Sequence, residues 1–194
     1  MNIDYIGKTL KCKIVYYGPA LSGKTTNLES ICQLEPNAAG KLLTLNTELE
    51  RTVFFDYLLV QEMIRGFKVQ LTFYTVPGQR IHHVTRKLVL SGADAVVFIA
   101  DSSNDRMEDN LVALQELREF LVGHNLNLDT LPYVLQLNKR DVETADSVEN
   151  LTKALRFKGE SVIEAVATNL EGVMETKEAI TKALISDIKE NRLK

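Results

Sequence analysis

The chain has 194 residues, 45% of them apolar and 25% charged, with a formal net charge of −3. That length suits one domain with a full hydrophobic core, and the mild acidity excludes general nucleic-acid binding, which needs a basic footprint. Its two cysteines, Cys12 and Cys32, form neither a metal spacing nor a disulfide framework.

Residues Met1 to Lys8 contain no hydrophobic leader, and no apolar run is long enough to span a bilayer. Asn2 excludes myristoylation, and the last residues, Asn191 to Lys194, lack the cysteine that prenylation needs. We therefore expect one domain over residues 1–194, cytoplasmic and without a direct membrane anchor.

In chain order, the first strand is expected at Leu10 to Tyr17, where Ile14-Val15-Tyr16-Tyr17 is continuously apolar. Gly18-Pro19-Ala20-Leu21-Ser22-Gly23-Lys24-Thr25 follows and reads G-x-x-x-x-G-K-T, with a helix expected from Lys24 to about Glu35. Strand, glycine-bearing loop and helix is the setting in which this motif cradles phosphates. Candidate contacts are Gly18, Ala20, Leu21, Ser22, Gly23, Lys24, Thr25 and Thr26. Backbone N–H groups and the positive helix end face the anion, Lys24 reaches the outer phosphates, and the Thr25 hydroxyl can ligate Mg²⁺.

Pro36-Asn37 ends the helix, and Val53 to Val60 is a dense run of β-formers including Phe54, Phe55 and Tyr57. Arg65-Gly66 reads as a turn, after which Phe67, Val69, Leu71 and Phe73 alternate with polar residues. These two strands can pair antiparallel. Pro77-Gly78 breaks the chain, a short helix is expected from Ile81 to Leu90, and Ala95 to Ala100 reads as a strand covered on both faces. Leu111, Leu114, Leu117 and Leu121 form a helical stripe read as core. Strands are expected at Tyr133 to Leu137 and Val162 to Ala167, with a final helix marked by Val173, Ile180, Leu184 and Ile188. Alternating strands and helices give an α/β fold with a mostly parallel sheet, whose ligands bind at the strand carboxyl ends.

Three further segments fall at such ends. Asn138-Lys139-Arg140-Asp141 follows the Tyr133 strand. A carboxylate at Asp141 matches the N1–H and N2–H₂ donors of guanine, while adenine would leave it unpaired. Asn138 can tie this loop to the phosphate loop, and the Lys139 stem can cover the base. Val76-Pro77-Gly78-Gln79 follows the Phe67 strand; Gly78 can offer its N–H to a γ-phosphate and Gln79 can orient an attacking water. Arg51-Thr52 precedes the aromatic strand; Thr52 can give Mg²⁺ a second hydroxyl, and Arg51 can act on the transferring phosphoryl group in cis. The catalytic candidates are thus Gln79, Arg51 and Lys24.

The segments KIVYYGPALSGKTTNL, ERTVFFDYL, TVPGQ and NKRD resemble those of the small Ras-like GTPases and, more narrowly, of the bacterial MglA-type gliding-motility and polarity GTPases. The resemblance implies a Ras-like P-loop NTPase fold, with one antiparallel strand in a mostly parallel central sheet and helices on both faces. It further implies GDP/GTP switching with Mg²⁺, slow hydrolysis served by Arg51 and Gln79, and control of polarity or motility. It implies that the aromatic strand shifts register between nucleotide states. Val166 and Ala167 match a loop packed against guanine. The partners implied are a roadblock-type (MglB-like) activating protein and polar effectors that recruit the protein to a cell pole.

Two positions depart from the broader pattern. Thr75 stands where Ras-like chains carry Asp, so the sequence leaves the metal site less charged. Ala20 replaces a Gly, and its methyl crowds the space needed by Gln79 and by an inserted arginine. Two alternatives stay open: a GTP-loaded, effector-recruiting module with negligible hydrolysis, and a P-loop kinase or ATPase, against which NKRD speaks.

Overall fold

A computed structural model describes residues 2–4, 7–35, 43–45, 55–64, 66–77 and 83–192. Its strands are β1 (Asn2–Asp4), β2 (Thr9–Tyr17), β3 (Leu43–Leu45), β4 (Phe55–Ile64), β5 (Phe67–Thr75), β6 (Ala95–Asp101), β7 (Tyr133–Asn138) and β8 (Ser161–Glu164). The helices are α1 (Lys24–Leu34), α2 (His83–Leu90), α3 (Met107–Val122), α4 (Val148–Leu155) and α5 (Val173–Asp187).

The sheet order is β3-β4-β5-β2-β6-β7-β8, with β1 beside the start of β2. From β5 through β8 every pairing is parallel. The expected antiparallel strand is β4, and the two short strands β3 and β1 add further antiparallel pairs.

The run Ile14-Val15-Tyr16-Tyr17 shows why the sheet carries helices on both faces. All four side chains are fully buried, yet they alternate between two cores. Ile14 and Tyr16 pack with Leu28 and Ile31 of α1 and Ile180 and Leu184 of α5. Val15 and Tyr17 pack with Leu90 of α2, Leu117 and Leu121 of α3, and Leu151 of α4. A strand side-chain period of two delivers this division directly.

Three expectations are corrected. Of the leucine stripe on α3, Leu111 is 43% exposed and so is not core, while Phe120 takes the buried place beside Leu117 and Leu121. The strand expected from Val162 to Ala167 ends at Glu164, because Val166 turns back to pair with Glu171. The aromatic strand runs on beyond Val60 to Ile64, since Glu62 on its buried face meets Lys177 of α5.

Among the described residues, that ion pair is one of two polar ties that join α5 to α1 or to the residue after it. Lys177 Nζ donates to Glu35 Oε2 at 2.6 Å as well as to Glu62. Burial pushes the ammonium down, but the two carboxylates outweigh this and hold Lys177 above the ordinary lysine value. In the second tie, Gln136 of β7 exchanges amide bonds of 2.9 and 3.0 Å with Asn27 of α1, and donates to Thr176 of α5 at 2.8 Å. Every amide group so buried needs its partner, so these bonds fix α1, and the loop before it, against the sheet.

Candidate functional site

The carboxyl ends of β2, β5, β6 and β7 lie along one edge of the sheet, and the sequence candidates that are described gather there. Gly18 leaves β2 with φ +150°, and a Cβ on it would sit 2.2 Å from the Ile99 carbonyl oxygen. Gly23 opens α1 with φ +94°, and a Cβ there would sit 2.2 Å from Asn138 Nδ2. Both positions need glycine because the loop lies flat on neighbouring strand ends. Leu21, between them, has φ +64° and is 84% exposed.

No side chain caps α1 at Gly23, so its first N–H groups are available to an anion. Among the described residues, Ser22 Oγ is buried and finds no hydrogen-bond partner. Lys24 is buried, and its Nζ donates to the Gly18 and Pro19 carbonyls at 3.2 and 2.5 Å. Burial, with Arg86 and Lys139 nearby, pushes its ammonium down to about 7. A glycine-floored loop, an orphaned hydroxyl and a destabilised buried cation form a donor set suited to phosphate oxygens.

Asn138 joins this loop to the segment that follows β7. Its Nδ2 donates to the Ser22 carbonyl at 2.8 Å, and its Oδ1 accepts from Ala167 N at 3.0 Å. Ser30 of α1 supports the same loop by donating to the Ala167 carbonyl at 2.8 Å. Arg140 N donates to the Ala165 carbonyl at 3.1 Å. The segments around 18–26, 138–141 and 165–167 are therefore one constellation. Val166 and Ala167 are buried in it, and the Asp141 carboxylate is exposed at its rim.

Sequence reasoning missed two supports of this cluster. Asp101, at the end of β6, accepts from Lys139 Nζ at 2.7 Å and from Ser103 N at 3.1 Å. Burial raises its carboxyl, but Lys139 and Ser103 overcome this and hold it below the usual carboxylate range. An acid directly after the apolar run Ala95 to Ala100 was the available signal. Arg106 donates to the Ala20 carbonyl at 3.0 Å and pairs with Asp109 at 2.7 Å, which pins the half-buried Ala20 in place.

Arg51, Thr52, Gly78 and Gln79 lie outside the described residues. What is described on the other side of the phosphate loop is a contact of β4 and β5 with Thr25. Thr25 Oγ1 donates to Asp56 Oδ2 at 2.6 Å, and Thr75 Oγ1 donates to the same oxygen at 2.9 Å. Asp56 N in turn donates to Thr75 Oγ1 at 3.0 Å. The sequence reading left this position without a carboxylate; the fold supplies one from β4. The signal was in the turn expected at Arg65-Gly66, because counting outward from the pair Ile64–Phe67 sets residue 56 opposite 75.

Among the described residues no three His, Cys, Asp or Glu side chains converge on a possible metal position. A cation here would take hydroxyl and phosphate oxygens, the ligand class that hard Mg²⁺ prefers, and the Thr25 hydroxyl beside a buried carboxylate fits that requirement. Among the described residues no helix is long and apolar enough to cross a membrane.

Comparisons with known proteins agree with this geometry. A family model described as the ADP-ribosylation factor family matches residues 3–188. The chain is 46% identical over 189 residues to the mutual gliding-motility protein MglA of Myxococcus xanthus, covering 96% of this chain and 97% of that one. It is 25% identical over 181 residues, 87% of each chain, to the Ypt/Rab-type GTPase ypt7 of Schizosaccharomyces pombe. A shorter match, 31% identical over 98 residues, links about half of the chain to the small COPII coat GTPase SAR1 of Giardia intestinalis.

Proposed function

The chain belongs to the ADP-ribosylation factor family and is a small GTPase, and on that premise we propose that it switches between GDP and GTP states to control cell polarity or motility. The observation that carries this reading is Asn138, whose amide joins the phosphate loop to the 165–167 loop. The gliding-motility name of the Myxococcus xanthus relative supports the cellular role.

In this reading the backbone of residues 18–26 and the Lys24 ammonium bind the phosphates. Asp141 takes the two guanine donors, the Lys139 stem covers the base, and the 165–167 backbone closes the pocket. Thr25 and Thr52 would hold Mg²⁺, which supplies positive charge against the phosphate oxygens. Gln79 orients the attacking water, Gly78 contacts the γ-phosphate, and Arg51 stabilises the charge that develops on transfer. Catalysis is by positioning and charge, and unassisted hydrolysis is no faster than about 10⁻³ s⁻¹. The switch is a single G domain whose GTP form recruits polar effectors, with a roadblock-type protein as activator.

A second reading is a GTP-loaded recruiting module with negligible turnover. Ala20 favours it, because Arg106 fixes the loop backbone at that methyl. Single-turnover hydrolysis separates the two: Ala20→Gly leaves the rate similar or raises it, and a fall at unchanged nucleotide affinity refutes the steric argument.

The guanine assignment is tested by competing labelled GDP with GTP and ATP. GTP displaces it and ATP does not. Asp141→Asn weakens GTP by about 2–4 kcal/mol and favours xanthine nucleotides. Equal competition by ATP would sink the assignment.

A further inference from the structure

We propose that Asp56 is the carboxylate that orients the metal-binding hydroxyl of Thr25, reaching it from β4, and that Thr75 positions Asp56. The proposal rests on the nucleotide-switch reading only in requiring that a phosphate-bound divalent cation sit at Thr25.

A threonine hydroxyl has one proton and two lone pairs. To ligate a cation it must offer a lone pair, so its proton has to go elsewhere. In this protein the proton goes to Asp56 Oδ2, 2.6 Å away. A charged acceptor makes the hydroxyl oxygen more electron-rich and fixes which way its lone pairs face, as outer partners do for metal ligands in general.

The carboxylate is itself held. Thr75 donates its hydroxyl to that same oxygen at 2.9 Å and receives the Asp56 N–H at 3.0 Å. This reciprocal pair leaves the side chain few rotamers. Asp56 and Thr75 are both buried while Thr25 is exposed, so the carboxylate is shielded from water on its own side and reaches the hydroxyl at the edge of the core. The threonine at 75 thus does not cost the site its acid. It moves the acid to the facing residue of the antiparallel partner and keeps it there with a hydroxyl.

A competing account is that Asp56 only clasps β4 to α1 and must release Thr25 before a cation can bind. The two accounts predict opposite signs. The measurement is the release rate of a fluorescent guanine nucleotide from the full chain as free Mg²⁺ is titrated from excess EDTA upward. Wild type is compared with Asp56→Asn, Thr75→Val and the double variant Asp56→Asn/Thr75→Asp.

We expect Asp56→Asn to raise the Mg²⁺ concentration for half-maximal retention about 10- to 100-fold, with release in excess EDTA unchanged. Thr75→Val shifts it in the same direction by less. The double variant, which restores an acid at 75, recovers most of the loss. Because it replaces the acid on the facing strand, it also answers whether Asp56→Asn acts through folding. A lower Mg²⁺ requirement in Asp56→Asn, an unchanged one, or a double variant that recovers nothing overturns the proposal. The same titration with labelled ATP separates the two readings: retention of ATP in place of GDP removes the guanine assignment and leaves the Asp56 comparison intact. Mg²⁺-independent retention of both by wild type overturns the Asp56 proposal.

Discussion

The proposed base side and the proposed cation side of the site are built from different kinds of bond. On the base side, Asn138 bonds two backbone groups, the Ser22 carbonyl and the Ala167 N–H, and Ser30 bonds a third. Those groups belong to loops at the ends of the parallel strands β2 and β8. On the cation side, the ties are side chain to side chain, from Thr25 and Thr75 to Asp56, and at the far end of β4 from Lys177 to Glu62. Their anchor is a strand outside the parallel core, paired antiparallel with β5. Backbone ties make a frame that persists whatever is bound. Side-chain ties to one strand make a contact that a ligand can strengthen or replace.

The comparison breaks most visibly at Asn138. Asn138→Ala leaves a buried carbonyl and a buried N–H without their partner, which costs about 2–4 kcal/mol. For a chain of this size that lowers Tm by roughly 5–12 °C, measured by thermal unfolding, and guanine-nucleotide affinity falls with it. An unchanged Tm would show that the loops do not depend on this amide.

A smaller loss is expected from Lys177→Met, which removes the shared partner of Glu35 and Glu62. Glu35 is buried, while the Glu62 side chain is a quarter exposed, so we expect about 2–3 kcal/mol. Urea unfolding checks it. Lys177 is held above the ordinary lysine value of 10.5, so its contribution is fully present below that pH and is lost as pH rises through the raised value. The difference between wild type and variant stays constant through neutral pH and shrinks only in alkali. Asp141, exposed at the rim, sharpens the contrast: Asp141→Asn changes nucleotide choice while leaving Tm within about 1–2 °C.

The smallest effect is a proton count. Burial and two neighbouring cations push Lys24 down to about 7, and a phosphate beside it favours the charged form. Nucleotide binding at pH 8 is therefore accompanied by uptake of up to about one proton at Lys24, and at pH 6 by almost none. Calorimetry in buffers of different ionisation enthalpy reads this. Equal uptake at both pH values would mean that another group titrates.

The base side was the more legible in the sequence, because its parts are short motifs placed directly at strand ends. The role of Asn138 follows from a strand that ends where the phosphate loop begins. Asp56 was not legible as a site residue, since it lies among β-formers and its meaning depends on which residue of β5 faces it. Asp101 needed the parallel register with β7, which sets it beside Asn138 and within reach of Lys139. Leu111 was misread because it stands at the flank of a buried face that runs through Asn110, Ala113, Leu114, Leu117, Phe120 and Leu121; a stripe of leucines alone does not give the centre of that face. Local pattern fixes elements; pairing between distant strands decides which charges meet.

Strand β4 carries Asp56, Leu58, Val60 and Glu62 on its buried face. A slide of one residue would turn that whole row outward, so the nearest other register that keeps it inward lies two residues, about 7 Å, away. Taking that register would present Leu58 to Thr25 in place of Asp56, and would carry Glu62 away from Lys177. The strand is in effect a two-position key: one register offers Thr25 a carboxylate, the next offers it a hydrocarbon, and no register between them keeps the row inward.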